Sequence, residues 1–325
     1  MGVNRAVACL DSSNLLSPTV PGLIAICGPT ASGKSSLALR LAIQFQLPLL
    51  GADSRQIYRY FDIGTAKPTP ADRAQWPHQL VDIADPTETV TVSQYQALAR
   101  EAIAQAHQDH LSPILVGGTG LYVQAIACGL SIPPVPPHPQ LRQQLANLSQ
   151  PFCYAMLRQV DPAGARAIHA NDSVRTSRSL EVYYVTGKPQ SELQRRQPPP
   201  YPVLAIGLRC RDLNFLEARI RQRTNAMLAS GWLDEVKQIQ ARLGADLPLL
   251  QTLGYAELSA YLRGEWTFEQ TRDRIVKHTR QFAKRQMTWF KRTPGIRWFD
   301  CEAPDLYEQV EPLVGDFLAR ASGEH

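Results

Sequence analysis

Five apolar residues, Leu23-Ile-Ala-Ile-Cys27, run directly into Gly28-Pro-Thr-Ala-Ser-Gly33-Lys34-Ser35, and apolar residues then recur at helical spacing from Ser35 to Gln46. No other stretch limits the fold as tightly. G-x-x-x-x-G-K-S between a buried strand and a helix is the spacing of a phosphate-binding loop. Successive backbone N–H groups curl around phosphate oxygens, and the positive end of the helix faces the anion. Within Gly28, Pro29, Thr30, Ala31, Ser32, Gly33, Lys34 and Ser35, Lys34 adds a mobile cation and Ser35 a hydroxyl of the kind that ligates Mg2+. The loop grips a diphosphate and is indifferent to what hangs on it. A nucleoside triphosphate such as ATP is permitted but not demanded, because the usual second metal-holding acid is poorly matched. The apolar run 113–116 leads into Gly117-Gly118, and only Asp82 or Asp85 offers a carboxylate nearby.

The rest of the first 130 residues repeats the strand–helix alternation. Residues 47–50 restart an apolar run that ends at Gly51-Ala-Asp53, 79–84 read as a third strand and 113–116 as a fourth. Ser93 to His107 reads as a helix with Ser93 at its N-cap. Loops at strand carboxyl ends in such an order predict a doubly wound parallel α/β sheet. Proline then interrupts the pattern. Residues 133–139 and 189–202 hold five prolines each, and the chain between them has helical periodicity without a strand of the earlier type. Residues 203–208 resume a core strand, and from 212 onward the pattern is helical almost to the end. The expected organisation is a loose leader over 1–22, a P-loop core over 23–135 and 201–325, and a helical insertion over 136–200.

A chain of 325 residues buries enough apolar surface to need no disulfide or metal staple. Its six cysteines include no CxxC pair, so they suggest a reducing, cytoplasmic setting and no zinc-ribbon site. No apolar run is long enough to span a bilayer, and no membrane association is expected. The net charge of +5 is mild, but its distribution is not: eight Lys/Arg against one Asp lie between Arg272 and Arg292. Lys277, Arg280, Lys284 and Lys291 recur near one helix face with Phe282, Trp289 and Phe290 between them. Such a face neutralises phosphates, and aromatics there stack on bases or fill core; Phe282 is expected in the core.

Across the crevice from the loop, Asp53 should stand at a strand carboxyl end, where ligands bind in open α/β sheets. A carboxylate there can take a proton from an attacking nucleophile. The blocks GPTASGKSSLA (28–38), ADSRQIYRYFDIGTAKP (52–68), HQLVDIADP (78–86), ILVGGTGLYVQA (114–125), DPAGARAIHANDSVRTSRSLEVYYVTGKP (161–189), LGYAEL (253–258) and TRQFAKRQMTWFK (279–291) resemble, in this order, the bacterial tRNA dimethylallyltransferase family. The resemblance covers nearly everything after residue 22 and implies transfer of a dimethylallyl group from dimethylallyl diphosphate to N6 of adenosine 37, in the anticodon stem-loop of tRNA. It implies Asp53 as general base, Thr30 and Lys34 in the catalytic set, and Mg2+ at Ser35. An arginine from the 219–223 run, Arg223 or Arg219, would stabilise the leaving pyrophosphate. Asp53, Ser54, Arg55, Gln56, Thr119 and Arg142 would meet tRNA. So would Val174, Arg175, Thr176, Ser177 and Arg178, where the family's usual first residue is Gln rather than Val. Leu250, Gln251, Thr252, Leu253, Gly254 and Tyr255 match a further tRNA-contacting stretch, and Arg280 and Lys284 belong to the basic face. A monomer is expected, and the zinc finger of eukaryotic relatives has no counterpart, since Cys301 is the one cysteine of the tail. The competing readings are a small-molecule P-loop kinase, which leaves the basic 277–291 segment unexplained, and a non-catalytic RNA-binding protein, which leaves Lys34, Ser35 and Asp53 unexplained.

Overall fold

The computed structural model describes residues 20–322, so all but the last three residues of the expected leader, and the last three of the chain, lie outside the described residues. β1 (Leu23–Cys27) is apolar throughout because both its faces are covered, as parallel strands require. β2 (Leu49–Gly51), β3 (His78–Gln79), β4 (Ile114–Gly117), β5 (Val203–Arg209) and β6 (Arg297–Asp300) complete one parallel sheet in the order β3-β2-β4-β1-β5-β6. Alternation along β1 divides the core. Leu23, Ala25 and Cys27 join Leu50, Ala52 and Leu115 on one face, while Ile24 and Ile26 join Leu49, Ile114 and Ile206 on the other.

The second face is covered by α1 (Lys34–Phe45), which follows the phosphate loop and buries Leu37, Ala38, Leu41 and Ala42. Between β2 and β3 lies α2 (Pro70–Gln75), with a Thr69 capping box. The first face carries α3 (Val92–Gln108) and α4 (Gly120–Ala127). Five helices fill the gap between β4 and β5: α5 (Pro139–Ala146), α6 (Gln150–Val160), α7 (Pro162–Ala167), α8 (Ser173–Thr186) and α9 (Gln190–Leu193). They bury Leu145, Cys153, Leu157, Ala165, Ile168 and Leu180 in a small core of their own. After β5 come α10 (Leu213–Ala229), α11 (Trp232–Leu243), a turn of 3-10 helix (Pro248–Gln251), α12 (Tyr255–Leu262) and α13 (Phe268–Phe290), and after β6 comes α14 (Leu306–Ser322).

Four local expectations are corrected. The third strand is only two residues long. Leu80 and Asp82 adopt left-handed φ values of 63° and 56°, which no ladder tolerates, and Asp82 turns its carboxylate to Lys67 and Arg73. The N-cap of α3 is Thr91, whose side chain accepts from the Gln94 N–H while Gln94 reciprocates, a capping box that Ser93, two residues further on and already inside the helix, cannot form. The carboxyl-terminal part is not wholly helical: β6 adds an edge strand, half-exposed and therefore without the apolar signature of β1. Phe282 is 40% exposed rather than in the core.

Candidate active site

The carboxyl ends of β1, β2 and β4 open on one cleft of about 1300 Å³. Each strand delivers one loop to it. β1 delivers the phosphate loop, in which Gly33 adopts φ 88° and Gly28 φ 146° with its missing side chain facing the Leu208 carbonyl; both positions need glycine. The Ser32 hydroxyl donates to the Pro29 carbonyl at 2.8 Å and Lys34 Nζ to the same oxygen at 2.7 Å, so the loop is closed on itself. β2 delivers Asp53, whose Oδ1 accepts the Arg55 N–H at 2.8 Å. β4 delivers Gly117 to Gly120. Gly117 lies so close to the Ala52 carbonyl that a Cβ would collide with it, and this contact draws the β4 loop against the Asp53 loop. Thr119 fastens the pair: its N–H donates to the Ala52 carbonyl at 3.1 Å, and its hydroxyl accepts the Ser54 N–H at 2.9 Å.

α10 and α13 add to the cleft wall. From α10, Arg223 lines both the main cleft and an adjoining cavity of about 340 Å³, whereas Arg219 lines only the smaller one, beside Gly33. From α13, the buried Gln286 accepts the Thr30 N–H at 2.8 Å and donates to the Gly118 carbonyl at 2.9 Å. Trp289, 42% exposed, packs over Gly120, where any side chain would strike its indole.

The electrostatics of the cleft are dominated by buried cations. Burial pulls Lys34 down to about 8, Arg223 adds to the shift, and Asp53 opposes it. Arg223 is likewise pulled down by burial, with Asp53 opposing and Arg219 contributing. Neither Arg219 nor Arg223 makes a hydrogen bond or an ion pair within 4 Å among the described residues. Two cations held against desolvation around one carboxylate favour a polyanion between them. The acids that a nucleotide kinase would use for metal are engaged elsewhere. Asp82 accepts from Lys67 at 2.5 Å and from Arg73 at 2.6 Å, and Asp85 accepts from the Thr87 N–H and hydroxyl. The loop hydroxyl of Ser35, exposed beside Lys34, and the carboxylate of Asp53 are hard oxygen donors lining the same cleft, a set that suits Mg2+.

Not every expected residue reaches this cleft. Ser54, Arg55, Gln56, Thr119, Gln251, Thr252 and Leu253 line it, together with Phe282 and Trp289. Gln56 is already committed, donating to the Thr65 and Ala66 carbonyls. Leu250 and Tyr255 point into the core, and Tyr255 donates to Glu235 at 2.6 Å. Gly254 is buried, its N–H donating to Glu257 at 2.6 Å. In the insertion, Arg142 and Arg178 both ion-pair with the fully buried Glu181, and Thr176 is buried beside them. Val174, 78% exposed, and Arg175 stand out from the start of α8, on the surface and away from the cleft. Arg280 lies on the exposed face of α13 but pairs with Glu217 at 2.6 Å, whereas Lys284 there makes no ion pair among the described residues.

Two functional groupings were not visible in sequence spacing. Gln286 is one, although its signal was there: Ala283, Gln286 and Phe290 share the buried face of α13, and a polar residue on such a face needs partners. The other is Cys210, Cys301 and Glu302, whose ligand atoms lie within 4.8 Å of one another because β5 and β6 pair. Burial raises both thiols, and Cys210 donates to a Glu302 carboxylate that also takes the Arg211 and Asp212 N–H groups. Neutral thiols in that arrangement form a clasp at the start of α10.

Comparison with known proteins then places the chain. The sequence profile described as IPP transferase matches residues 56–293. The tRNA dimethylallyltransferase of Synechococcus sp. (strain JA-3-3Ab) is 55% identical over 311 residues, covering 96% of this chain and 91% of that protein. The chain belongs to the IPP transferase family. Among solved structures, the full-length tRNA isopentenylpyrophosphate transferase of Bacillus halodurans matches with a TM-score of 0.69 at 33% identity, over 93% of this chain and 98% of that one. A eukaryotic dimethylallyltransferase acting on tRNA matches with a TM-score of 0.78 at 27% identity, over 92% of this chain and 80% of its own. This IPP transferase thus has the doubly wound P-loop-type architecture of its relatives, and among its described residues no helix is long and apolar enough to cross a membrane. Family membership replaces the kinase reading.

Proposed function

We propose that this protein transfers the dimethylallyl group of dimethylallyl diphosphate to N6 of adenosine 37 in the anticodon stem-loop of tRNA, releasing pyrophosphate. The observation that carries the reading is the convergence of Lys34, Arg223 and Asp53 on one cleft that Thr119 also lines. The loop from Gly28 to Ser35 takes the diphosphate, with Lys34 and Arg223 against its oxygens. Their depressed proton affinities are the cost of waiting for that charge in a desolvated place. Ser35 would hold Mg2+, which when bound neutralises part of the diphosphate charge. As the allylic C–O bond breaks, the electron pair leaves with the pyrophosphate, and the cations stabilise it. The adenine N6 forms the new C–N bond and gives a proton to Asp53. Thr119, whose hydroxyl accepts the Ser54 N–H beside Asp53, would meet the tRNA there. The adenine must leave its stack to reach a cleft at strand ends, so extrusion accompanies binding. Lys277, Lys284 and the indole of Trp289, exposed along α13, supply the phosphate-binding and stacking face for the loop. The protein acts as a monomer in the cytoplasm, where its RNA substrate is.

The test is incubation with labelled dimethylallyl diphosphate and unmodified tRNA. Label is expected in the RNA at adenosine 37 with the parent protein, and at background with Asp53→Ala. Label transferred equally well by Asp53→Ala removes the base from the reading, and no transfer by the parent removes the reading itself.

A further inference from the structure

One buried side chain joins the two loops that the reaction must hold in register. Gln286 sits on the inner face of α13, 7% exposed, between the phosphate loop and the β4 loop. Its Oε1 accepts the Thr30 N–H at 2.8 Å and its Nε2 donates to the Gly118 carbonyl at 2.9 Å. Thr30 lies within the proposed diphosphate loop; Gly118 immediately precedes Thr119, which aligns the Asp53 loop. The two loops are 256 and 168 residues away from Gln286 in sequence, so no local geometry sets their spacing. Gly118 lacks a side chain where one would strike the Gln286 amide nitrogen. A primary amide is the group that offers an acceptor and a donor side by side, so it suits a backbone N–H on one loop and a carbonyl on the next. The opposite face of the same helix presents Lys277 and Lys284 to solvent. A helix that docks RNA outside therefore ties together the substrate loops inside.

We propose that Gln286 is a positioning residue that sets the distance between the diphosphate loop and the acceptor loop, and so links occupancy of α13 by RNA to alignment of the two reacting groups. The inference rests on the prenyl-transfer reading of the cleft. Gln286 acts through the Thr30 N–H and the Gly118 carbonyl that it holds. Without the amide, each loop keeps its own closure, Lys34 and Ser32 to Pro29 on one side and Thr119 to Ala52 on the other, but their separation is no longer fixed. A misplacement of about 1 Å between reacting groups costs on the order of 100-fold in rate.

Gln286→Met, which keeps length and volume but removes both polar atoms, is expected to lower kcat by about 10–100-fold, with KM for tRNA changing less than about threefold. Gln96 is the control. It too is buried, with its Nε2 donating to the Ala125 and Leu130 carbonyls at 2.7 and 2.9 Å, but it does not line the cleft. Gln96→Met should lower the melting temperature without the fall in kcat. Gln286→Glu adds a signature that lost packing cannot mimic. Its ionised carboxylate accepts from Thr30 but repels the Gly118 carbonyl, while its protonated form donates as the amide did. The ratio of its kcat to that of the parent should rise as the pH is lowered from 8 to about 5.5, since burial raises a carboxyl. The inference is overturned if Gln286→Met stays within about threefold of the parent, if its loss of kcat matches that of Gln96→Met, or if the Gln286→Glu ratio is flat with pH. An inactive parent would instead overturn the prenyl-transfer reading, so the two failures are distinct.

Discussion

Arginine is used in opposite ways in two regions of this molecule. In the helical insertion, Arg142 and Arg178 close on Glu181, a carboxylate with no exposed surface. Burial alone would raise that carboxyl, but donors from Arg142, the His138 N–H and Arg178 outweigh it and hold Glu181 at about 2. At the strand ends, Arg223 and Lys34 are desolvated with one carboxylate, Asp53, acting at a distance, and both are pulled down instead. In the insertion the charge is used to hold α5 against α8. In the cleft the cations are opposed only by Asp53, so an anion between them would be stabilised.

Asp53→Asn should test the cleft side most sharply. It preserves the acceptor for the Arg55 N–H while removing the base, so transfer is expected to fall by about 10²–10⁴-fold with the melting temperature unchanged. Glu181→Ala should do the reverse. It is expected to cost about 2–4 kcal/mol of stability in the insertion, toward the lower end because Arg142 and Arg178 keep contact with water, and to leave pyrophosphate binding at the cleft intact. Urea denaturation followed alongside pyrophosphate titration would read both, and loss of pyrophosphate binding in Glu181→Ala would break the division between the two regions.

The pH dependences should also separate. Lys34 is cationic below about 8, so kcat/KM for dimethylallyl diphosphate should fall as the pH rises through that value. The depressed carboxyl of Glu181 contributes stability that is fully present above its ordinary value of 4.5 and is lost as the pH falls through about 2. A stopped assay across pH 6–10 and thermal melts across acid pH would show whether the two windows are apart. The smallest effect is expected outside both regions: Lys284→Ala should weaken tRNA binding across all tRNAs and reduce the slope of log K against log salt by about 1. An unchanged slope would take Lys284 off the RNA-binding face.

The residues most legible in sequence were those whose function is local. The phosphate loop needs only a strand, a glycine-rich turn and a helix in succession, and 23–46 spell that order out. The strands β1, β2 and β4 and the helices α1, α3 and α4 were legible for the same reason. β6 was not, because an edge strand with one exposed face carries no apolar run. Ser93 lost the N-cap to Thr91 because the capping box is decided by which side chains close on each other. The family resemblance sets Arg142 and Arg178 against tRNA, and only the fold shows that both also ion-pair with Glu181, one turn along α8 from Arg178.

The sequence by itself determined the doubly wound architecture, the strand–glycine loop–helix order around Lys34 and the position of Asp53 at the mouth of the same cleft, since each rests on residues near one another along the chain or on strand ends that a parallel sheet necessarily aligns. Tertiary structure alone decided which cations remain unmatched, that Cys210, Cys301 and Glu302 clasp the start of α10, and that Gln286 bridges two loops. Those outcomes depend on partners tens to hundreds of residues apart, and the free energy of a buried polar group is set by whether such a partner arrives.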